Sequence, residues 1–200
     1  MIWIDMDMSL ELVKAFITLF VVMDPPGNVP IFIAVTRVMG KEARKRELNH
    51  AVVVATLLLL LFAFLGKFVL DVLNISLDSF MVAGGILLLL VSFDLLREHK
   101  YLIKEAGRGI GAVPIGTPLL AGPGAITTVM VIIQSRGPFV ALFAIFSAII
   151  ATKLILGQSE RIYKVMGSEG SEVLSRVMGI LVAAIAIQFI RDGIVGMIKV

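Results

Sequence analysis

The chain has 200 residues, of which 58% are hydrophobic and only 16% charged, and its formal net charge is +3. Soluble domains average about 25% charged residues, and a domain of this size has too little interior to hide so much apolar surface. The composition therefore excludes a soluble globular protein and indicates an integral membrane protein. The positive charges lie between apolar segments, which argues against a nucleic-acid partner, and the absence of cysteine excludes disulfides and thiolate metal sites.

A membrane-spanning helix needs about 20 mostly apolar residues. Six regions meet this requirement, at 9–39, 48–70, 76–96, 112–134, 137–157 and 172–196. The chain is therefore predicted to be a single all-α transmembrane domain over 1–200. The stretch 66–75 is interpreted either as the end of the second span or as a separate short interfacial helix.

The distribution of basic residues predicts an orientation. Five lie in 37–47, four in 97–108 and four between 153 and 176, whereas the alternate connections hold only Lys67 and Arg136. Cytoplasmic loops carry an excess of Lys and Arg. Six spans with this pattern place both termini outside a plasma or inner membrane.

The first apolar region is interrupted by "DPPGN". Pro25 and Pro26 supply no amide hydrogen and disfavour the α conformation before them. The helix is therefore expected to stop near Met23 or Asp24, turn at Gly27 and restart as "NVPIFIAVT".

The fourth region carries a similar interruption, "LAGPGAITT", in which Gly122, Pro123 and Gly124 break the helix. Amides at a new helix start favour an anion such as a carboxylate, and the carbonyls freed before each break favour an ammonium group. Irregular backbone at membrane depth is tolerated where protein or a water-filled cavity satisfies it. The two breaks predict a small polar site for a zwitterion; the alternative is a pair of kinks or re-entrant loops without a ligand.

The two halves of the chain resemble each other. Pro26-Gly27 aligns with Pro123-Gly124 at an offset of 97, and 85–97 aligns with 179–191 at an offset of 94. The repeats are 9–97 and 112–196, and each contains three spans, an odd number, so the second is inverted. The expected fold is six transmembrane helices in two inverted three-helix repeats, with the first and fourth helices broken. Inverted repeats with matching broken helices point to a secondary transporter.

The stretches "DPPGNVPIFIAVT" and "GTPLLAGPGAITTVMVI" together resemble the two signature stretches of the MarC family of bacterial and archaeal membrane proteins, and the resemblance covers essentially the whole chain. It implies a transporter of small neutral amino acids such as glycine and alanine; Pro26 departs from the family pattern, where an apolar residue is more usual. The resemblance and the residue chemistry together nominate a set of substrate-binding residues. They are Asp24, Pro26, Gly27, Asn28, Gly122, Pro123, Gly124, Ala125, Thr127 and Thr128.

Roles for these residues follow from their chemistry. The amides near Asn28 and Ala125 are expected to hold the carboxylate, and Asp24 or the carbonyls before each break to hold the ammonium group. The alternatives for Asp24 are a proton carrier and the N-cap of the second half-helix. For Thr127 and Thr128 the alternative is hydrogen bonding back to helix carbonyls.

Four further polar residues are candidates for coupling or gating. Asp94 lies three residues before Arg97 on one helix face, which makes it either an interfacial ion pair or a protonatable residue of the transport cycle. The repeat alignment sets Gln188 opposite Asp94 and Arg191 opposite Arg97.

The sequence therefore predicts a secondary transporter for small neutral amino acids of the glycine, alanine and serine class, working by alternating access and coupled to a proton or a sodium ion. The expected partners are a zwitterionic amino acid, H+ or Na+ and the lipid bilayer, with an oligomer left open. No cofactor, metal or enzymatic activity is expected. The alternatives are an exporter or channel for another small solute or ion using the same site, a membrane enzyme, and a structural subunit.

Overall fold

The computed structural model describes residues 2–36, 38–96 and 120–198, and in these residues the chain forms seven helices and no strand. The helices are α1 (Ile2–Met23), α2 (Asn28–Thr36), α3 (Lys41–Val72), α4 (Leu77–Leu96), α5 (Pro123–Arg136), α6 (Pro138–Gly157) and α7 (Ser159–Ile198). The all-α prediction is confirmed for the described part of the chain.

Among the described residues, four helices are long and apolar enough to cross a membrane: α3, α4, α6 and the Glu169–Ile198 part of α7. A fifth span is obtained if α1 and α2, which meet at an angle of 47°, are taken together. The predicted fourth span, 112–134, lies partly outside the described residues, and the loop 97–108 lies wholly outside them. Its described part, α5, has 14 residues, about 21 Å of helix.

Helix α1 ends at Met23 and α2 begins at Asn28, where the two prolines predict an interruption. The interpretation of 66–75 as a separate interfacial helix is wrong, because α3 continues without a break to Val72. Gly66 does not interrupt α3, and it gives room to α5: an added Cβ would lie 2.6 Å from Met130 Cε. The 32 residues of α3 measure about 48 Å, so its charged first turns extend beyond a hydrocarbon core of about 30 Å.

Helix α7 is bent at Gly167, whose φ of 67° is outside the helical region. Glycine reaches positive φ without the steric cost that a Cβ imposes. The bend separates a short first segment, 159–166, from the long apolar part that contains the predicted sixth span.

The interior consists of two apolar clusters. The larger joins α1, α2, α3, α5 and α6. The smaller joins α4 and α7 to the end of α1 through Val21, Leu88, Met178, Val182, Ala186 and Phe189. Helices α4 and α7 approach closely at glycines, since a Cβ at Gly85 would lie 2.7 Å from Ala186 O. Small residues allow such contacts in membranes, as the sequence predicts for this glycine.

Candidate functional site: two backbone breaks in contact

The turn between α1 and α2 is organised by Asp24. Its φ of 45° lies in the left-handed region, which short polar residues tolerate better than most others. Asp24 Oδ1 accepts a hydrogen bond from the Gly27 N–H at 3.0 Å, and Asn28 Nδ2 donates to Met23 O at 2.9 Å. Asp24 therefore caps the start of α2, and Asn28 satisfies a terminal carbonyl of α1.

Gly27 is required in this turn for space. An added Cβ would overlap Asp24 Oδ2 and lie 2.8 Å from Oδ1. The absence of a side chain lets the carboxyl group fold over the backbone of the turn, where Asp24 is only 5% exposed.

The amides of the first break are used inside the turn. The Asn28 N–H donates to Asp24 O at 3.1 Å, and the Val29 N–H donates to the carbonyl of half-buried Pro26 at 3.2 Å. In this structure the amide of Asn28 is therefore engaged by the backbone instead of pointing at a ligand. Of the amides predicted to hold a carboxylate, that of Asn28 is therefore already hydrogen-bonded within the turn.

One oxygen of the first break has no partner. Asp24 Oδ2 is buried and accepts no hydrogen bond from any described residue. An unpaired buried polar atom is costly, and a charged one more so. The carboxyl group thus combines a capping oxygen with a second oxygen that is available to a ligand.

The second predicted break lies at the start of α5, where the structure describes the chain from residue 120 onward. Gly122 is the N-cap of α5, with extended backbone (φ −68°, ψ 171°), and no side chain caps it. Pro123, exposed at the first helical position, has no N–H to satisfy. Gly124 and Ala125 follow in the buried first turn. Their amides lie where a helix N-terminus attracts negative charge.

The two threonines of α5 differ. Thr127 Oγ1 donates to Pro123 O at 2.9 Å, so it follows the alternative in which the hydroxyl bonds back to the helix. Thr128 is completely buried, and its Oγ1 has no hydrogen-bond partner within the described residues. Thr128 is therefore the second polar group available to a ligand.

The two breaks lie against each other. A Cβ on Gly124 would be 3.2 Å from Val22 Cγ1, two residues before Asp24. Met23 and Val29, on either side of the first break, share one apolar cluster with Ala121 and Ala125, on either side of the second. The ten predicted substrate-binding residues therefore come from two segments that meet in the interior.

Helix α4 closes this region, which the sequence did not reveal. An added Cβ at Gly84 would lie 2.7 Å from Thr127 Oγ1, and one at Gly124 would overlap the Leu88 side chain. The "AGG" run at 83–85 is typical of close helix packing, and the run by itself does not indicate a site. Its position opposite the second break depends on long-range contacts that no local pattern specifies.

An open cleft of about 930 Å³ enters the protein between α1, α4, α5 and α7. Its polar lining includes Glu11, Asp78, Ser135, Arg136, Gln188 and Asp192. Arg136 Nε pairs with Glu11 Oε2 at 2.9 Å. Of these residues the sequence nominated only Gln188.

The cleft stops short of the breaks. Val131, Ile185 and Phe189 line it, and they belong to the same apolar cluster as Leu88, which covers Gly124. Val131 is one helical turn from Thr127 and Thr128 along α5. A single apolar layer thus separates the cleft from the buried polar groups.

Of the four predicted coupling residues, the three within the described part of the chain do not assemble into one group. Gln188 Nε2 and Arg191 Nη2 both donate to Asp192, at 2.7 Å. Asp94 is exposed on α4, and its predicted partner Arg97 lies outside the described residues. Because α4 and α7 are antiparallel, with Gly85 at Ala186 and Gly179 at Leu95, Asp94 is about 13 Å along α4 from the level of Gln188.

The helices long and apolar enough to span a bilayer, together with the buried irregular backbone, define an integral membrane protein of the helical-bundle class. Residues 10–198 match the family described as MarC family integral membrane protein. The chain therefore belongs to the MarC family, as the two signature stretches indicated.

Similar proteins are found in archaea and bacteria. A UPF0056 membrane protein of Methanocaldococcus jannaschii is 38% identical over 196 residues, which cover 92% of this chain and 96% of the relative. One from Archaeoglobus fulgidus is 34% identical over 192 residues, 90% of each chain. UPF0056 membrane protein YhcE of Escherichia coli is 33% identical over 196 residues, 92% of this chain and 91% of its own. No solved structure matches the chain.

Proposed function

We propose that this protein is a secondary transporter that moves small neutral amino acids across the cell membrane by alternating access. The observation that carries the proposal is the contact between the turn that joins α1 to α2 and the start of α5. Between them they present Asp24 Oδ2 and Thr128 Oγ1, neither of which has a partner among the described residues. Binding at helix breaks near the membrane midplane is the usual arrangement in secondary transporters.

The chemistry of the two breaks fits a zwitterion. Asp24 Oδ2 binds the ammonium group, and the first-turn amides of α5, at Gly124 and Ala125, bind the carboxylate. Thr128 Oγ1 completes the polar shell. Leu88 and Gly84 pack directly against this segment, so the space favours glycine, alanine and serine over larger side chains.

Reciprocal contacts between α4 and α7 support the inverted repeat. A Cβ on Gly85 would lie 2.7 Å from Ile190, and one on Gly179 would lie 3.2 Å from Leu96. The sequence offset of 94 converts the first pair into the second. Such exchange of partners is the signature of a two-fold axis. In the proposed fold, six spans form two inverted repeats, α1 with α2 makes the first span, α5 ends the fourth, and both termini are extracytoplasmic.

Counterflow in liposomes tests the proposal. Liposomes that contain the purified protein and are loaded with unlabelled glycine, alanine or serine are expected to accumulate labelled glycine, because a carrier exchanges substrate across the membrane. The second candidate function is a channel. In a channel, substrate on the far side of the membrane does not accelerate the uptake of labelled glycine. Failure of every small zwitterion to exchange would overturn the substrate class.

Asp24→Asn separates the ligand role of Asp24 from its capping role. Asparagine keeps an oxygen for the Gly27 N–H but loses the negative charge, so counterflow is expected to be lost while thermal stability is retained. Asp71→Asn, at an exposed carboxyl near the end of α3, is the matched control. Unchanged counterflow in Asp24→Asn would remove Asp24 from the site.

Thr128→Val and Thr152→Val make a second matched pair. Both threonines are fully buried, but Thr152 Oγ1 donates to Ala148 O at 2.8 Å. Exchange of glycine is expected to weaken in Thr128→Val and to persist in Thr152→Val. Equal effects in the two variants would mean that Thr128 has no role in binding.

Coupling to a proton or sodium ion is part of the proposal. Asp24 and Asp94 are the acidic residues that motivate a proton. Uptake driven by a proton gradient is compared with uptake driven by a sodium gradient, in wild type and in Asp24→Asn and Asp94→Asn. Gradient-driven uptake that survives both substitutions excludes these carboxyl groups as proton carriers.

A further inference from the structure

Arg44 links three elements at the end of the bundle away from the cleft. It lies in the first turns of α3, and its side chain is 17% exposed. Arg44 Nη2 donates to Thr36 O at 3.2 Å, and Nη1 pairs with Glu160 in the first turn of α7. One guanidinium group thus connects α2, α3 and the first segment of α7.

The chemistry of the contact suits its position. Thr36 is the last residue of α2, and its carbonyl, which lies beyond the reach of the helical N–H groups, accepts hydrogen bonds from the Met39 N–H at 3.0 Å and from Arg44. A cation is stabilised at a helix C-terminus, and an acid at a helix N-terminus. The Arg44 guanidinium therefore lies at the C-terminus of α2, although Arg44 itself belongs to the first turns of α3, and Glu160 lies opposite it at the N-terminus of α7.

The two ends of the bundle differ in this structure. Glu160 lies in the first turn of α7, before the bend, and the cleft residues Gln188 and Asp192 lie about 32 and 38 Å beyond Gly167 along the same helix, at about 1.5 Å of rise per residue. The cleft end is open toward the breaks, except for one apolar layer. At the other end, α2 is tied to its neighbours by Arg44.

We propose that Arg44 is a latch that holds the half-helix α2 closed on the face opposite the cleft. The inference rests on the proposed transporter function, in which the two faces open in turn. Opening the closed face requires Arg44 to release Thr36 O and Glu160. The segment 159–166 that carries Glu160 is joined to the rest of α7 at Gly167, where the backbone is already non-helical, so this segment moves with the latch.

Cysteine labelling tests the latch directly, because the chain contains no cysteine of its own. Thr36→Cys places a reporter at the closed face, where Thr36 is fully buried; it keeps the backbone carbonyl that Arg44 binds. Ser135→Cys places a reporter in the cleft. The measurement is the rate of modification by a membrane-impermeant thiol reagent, with purified protein in detergent and without substrate.

Glu160→Gln and Arg44→Gln are expected to speed labelling at position 36 and to slow it at position 135. The change should be about two- to fivefold, the population shift that follows loss of a partly exposed ion pair. Glu160 is 59% exposed, so Glu160→Gln tests the latch without removing a buried group. The double exchange Arg44→Glu with Glu160→Arg should move both rates back toward wild type.

The ion pair of Arg176 with Glu172 is the matched control, because both residues lie four apart on α7 alone. Glu172→Gln should leave both labelling rates unchanged. Equal labelling rates in Glu160→Gln and Glu172→Gln would overturn the latch. Faster labelling at position 36 without slower labelling at position 135 would also overturn it, because that result indicates local fraying of α2. The labelling measurement needs no substrate, so it tests the latch separately from transport. If Glu160→Gln alters the labelling rates but the wild-type protein shows no counterflow, the latch is retained and the transporter function is refuted. If the protein shows counterflow but the labelling rates are unaltered, the transporter function is retained and the latch is refuted.

Discussion

At the scale of single residues, Gly27 shows how little freedom the first break has. The carboxyl group of Asp24 occupies the space that a methyl group on Gly27 would take. Gly27→Ala is therefore expected to lower the free energy of unfolding by about 1–3 kcal/mol, the usual cost of overpacking. Thermal unfolding in detergent measures the change.

Gly40→Ala is the control for this experiment. Gly40 precedes α3, and an added Cβ there meets no atom within 4 Å. Its φ of −65° is open to alanine. A loss of stability in Gly40→Ala as large as in Gly27→Ala would show that the carboxyl group moves aside without cost.

The sequence predicts the site residues better than their roles. Two prolines that lack an N–H fix the place of the break, and that much is local. Whether Asp24 caps, binds or carries a proton depends on where each oxygen points, and Oδ1 proves to be the cap for Gly27. The difference between Thr127 and Thr128 likewise depends on how α5 is rotated relative to α4 and α1, since adjacent residues of a helix differ in direction by about 100°.

At the scale of helices, α4 and α7 depend on glycine at their contact. A Cβ on Gly85 would press on the backbone oxygen of Ala186 at 2.7 Å, whereas one on Gly179 would meet the Leu95 side chain at 3.1 Å. Backbone cannot yield as a side chain does. Gly85→Ala is expected to cost more stability than Gly179→Ala, in the range of about 1–3 kcal/mol.

Gly157→Ala provides the reference for this series. Its added Cβ would lie 3.8 Å from Leu48 Cδ2, an ordinary contact. Thermal unfolding should rank the losses as Gly85, then Gly179, then Gly157. A larger loss at Gly179 than at Gly85 would contradict the close approach described for α4 and α7.

Helix ends follow the sequence where a breaker residue sets them. Met23 precedes Asp24 and two prolines and ends α1 as predicted, whereas α5 already begins at Pro123, inside the Gly-Pro-Gly run that was expected to break the helix. The end of α3 was less clear from the sequence, because a single glycine such as Gly66 costs a helix interior only about 1 kcal/mol. The bend at Gly167 was not predicted, since one glycine in a polar stretch carries little information.

At the scale of the whole molecule, the proposed orientation makes a topological prediction. Val38 is 93% exposed before α3, and Leu73 is 60% exposed after it, so they lie at opposite ends of a spanning helix. Val38→Cys should react with an impermeant thiol reagent only in inside-out vesicles, and Leu73→Cys only in right-side-out vesicles.

The reverse pattern would place the termini in the cytoplasm, and reaction of both residues from one side would mean that α3 does not span the membrane.

The all-helical class and the family follow from composition and two motifs. The cleft does not, because its Glu11–Arg136 pair joins residues far apart in sequence. In the sequence, charged residues such as these cannot be distinguished from the ordinary charged residues of helix ends. Only the packing of the helices brings them together.

The oxygen of Asp24 left without a partner has a practical consequence. A solute that supplies the missing hydrogen bond binds the folded state and not the unfolded chain, and at a concentration of 100 times its Kd it adds about 2.7 kcal/mol of stability. The melting temperature of the purified protein thus reports binding with no vesicle, gradient or radiolabel. Glycine should raise the melting temperature of the wild-type protein and leave the melting temperature of Asp24→Asn unchanged. Thermal unfolding curves can therefore rank unknown solutes by their binding.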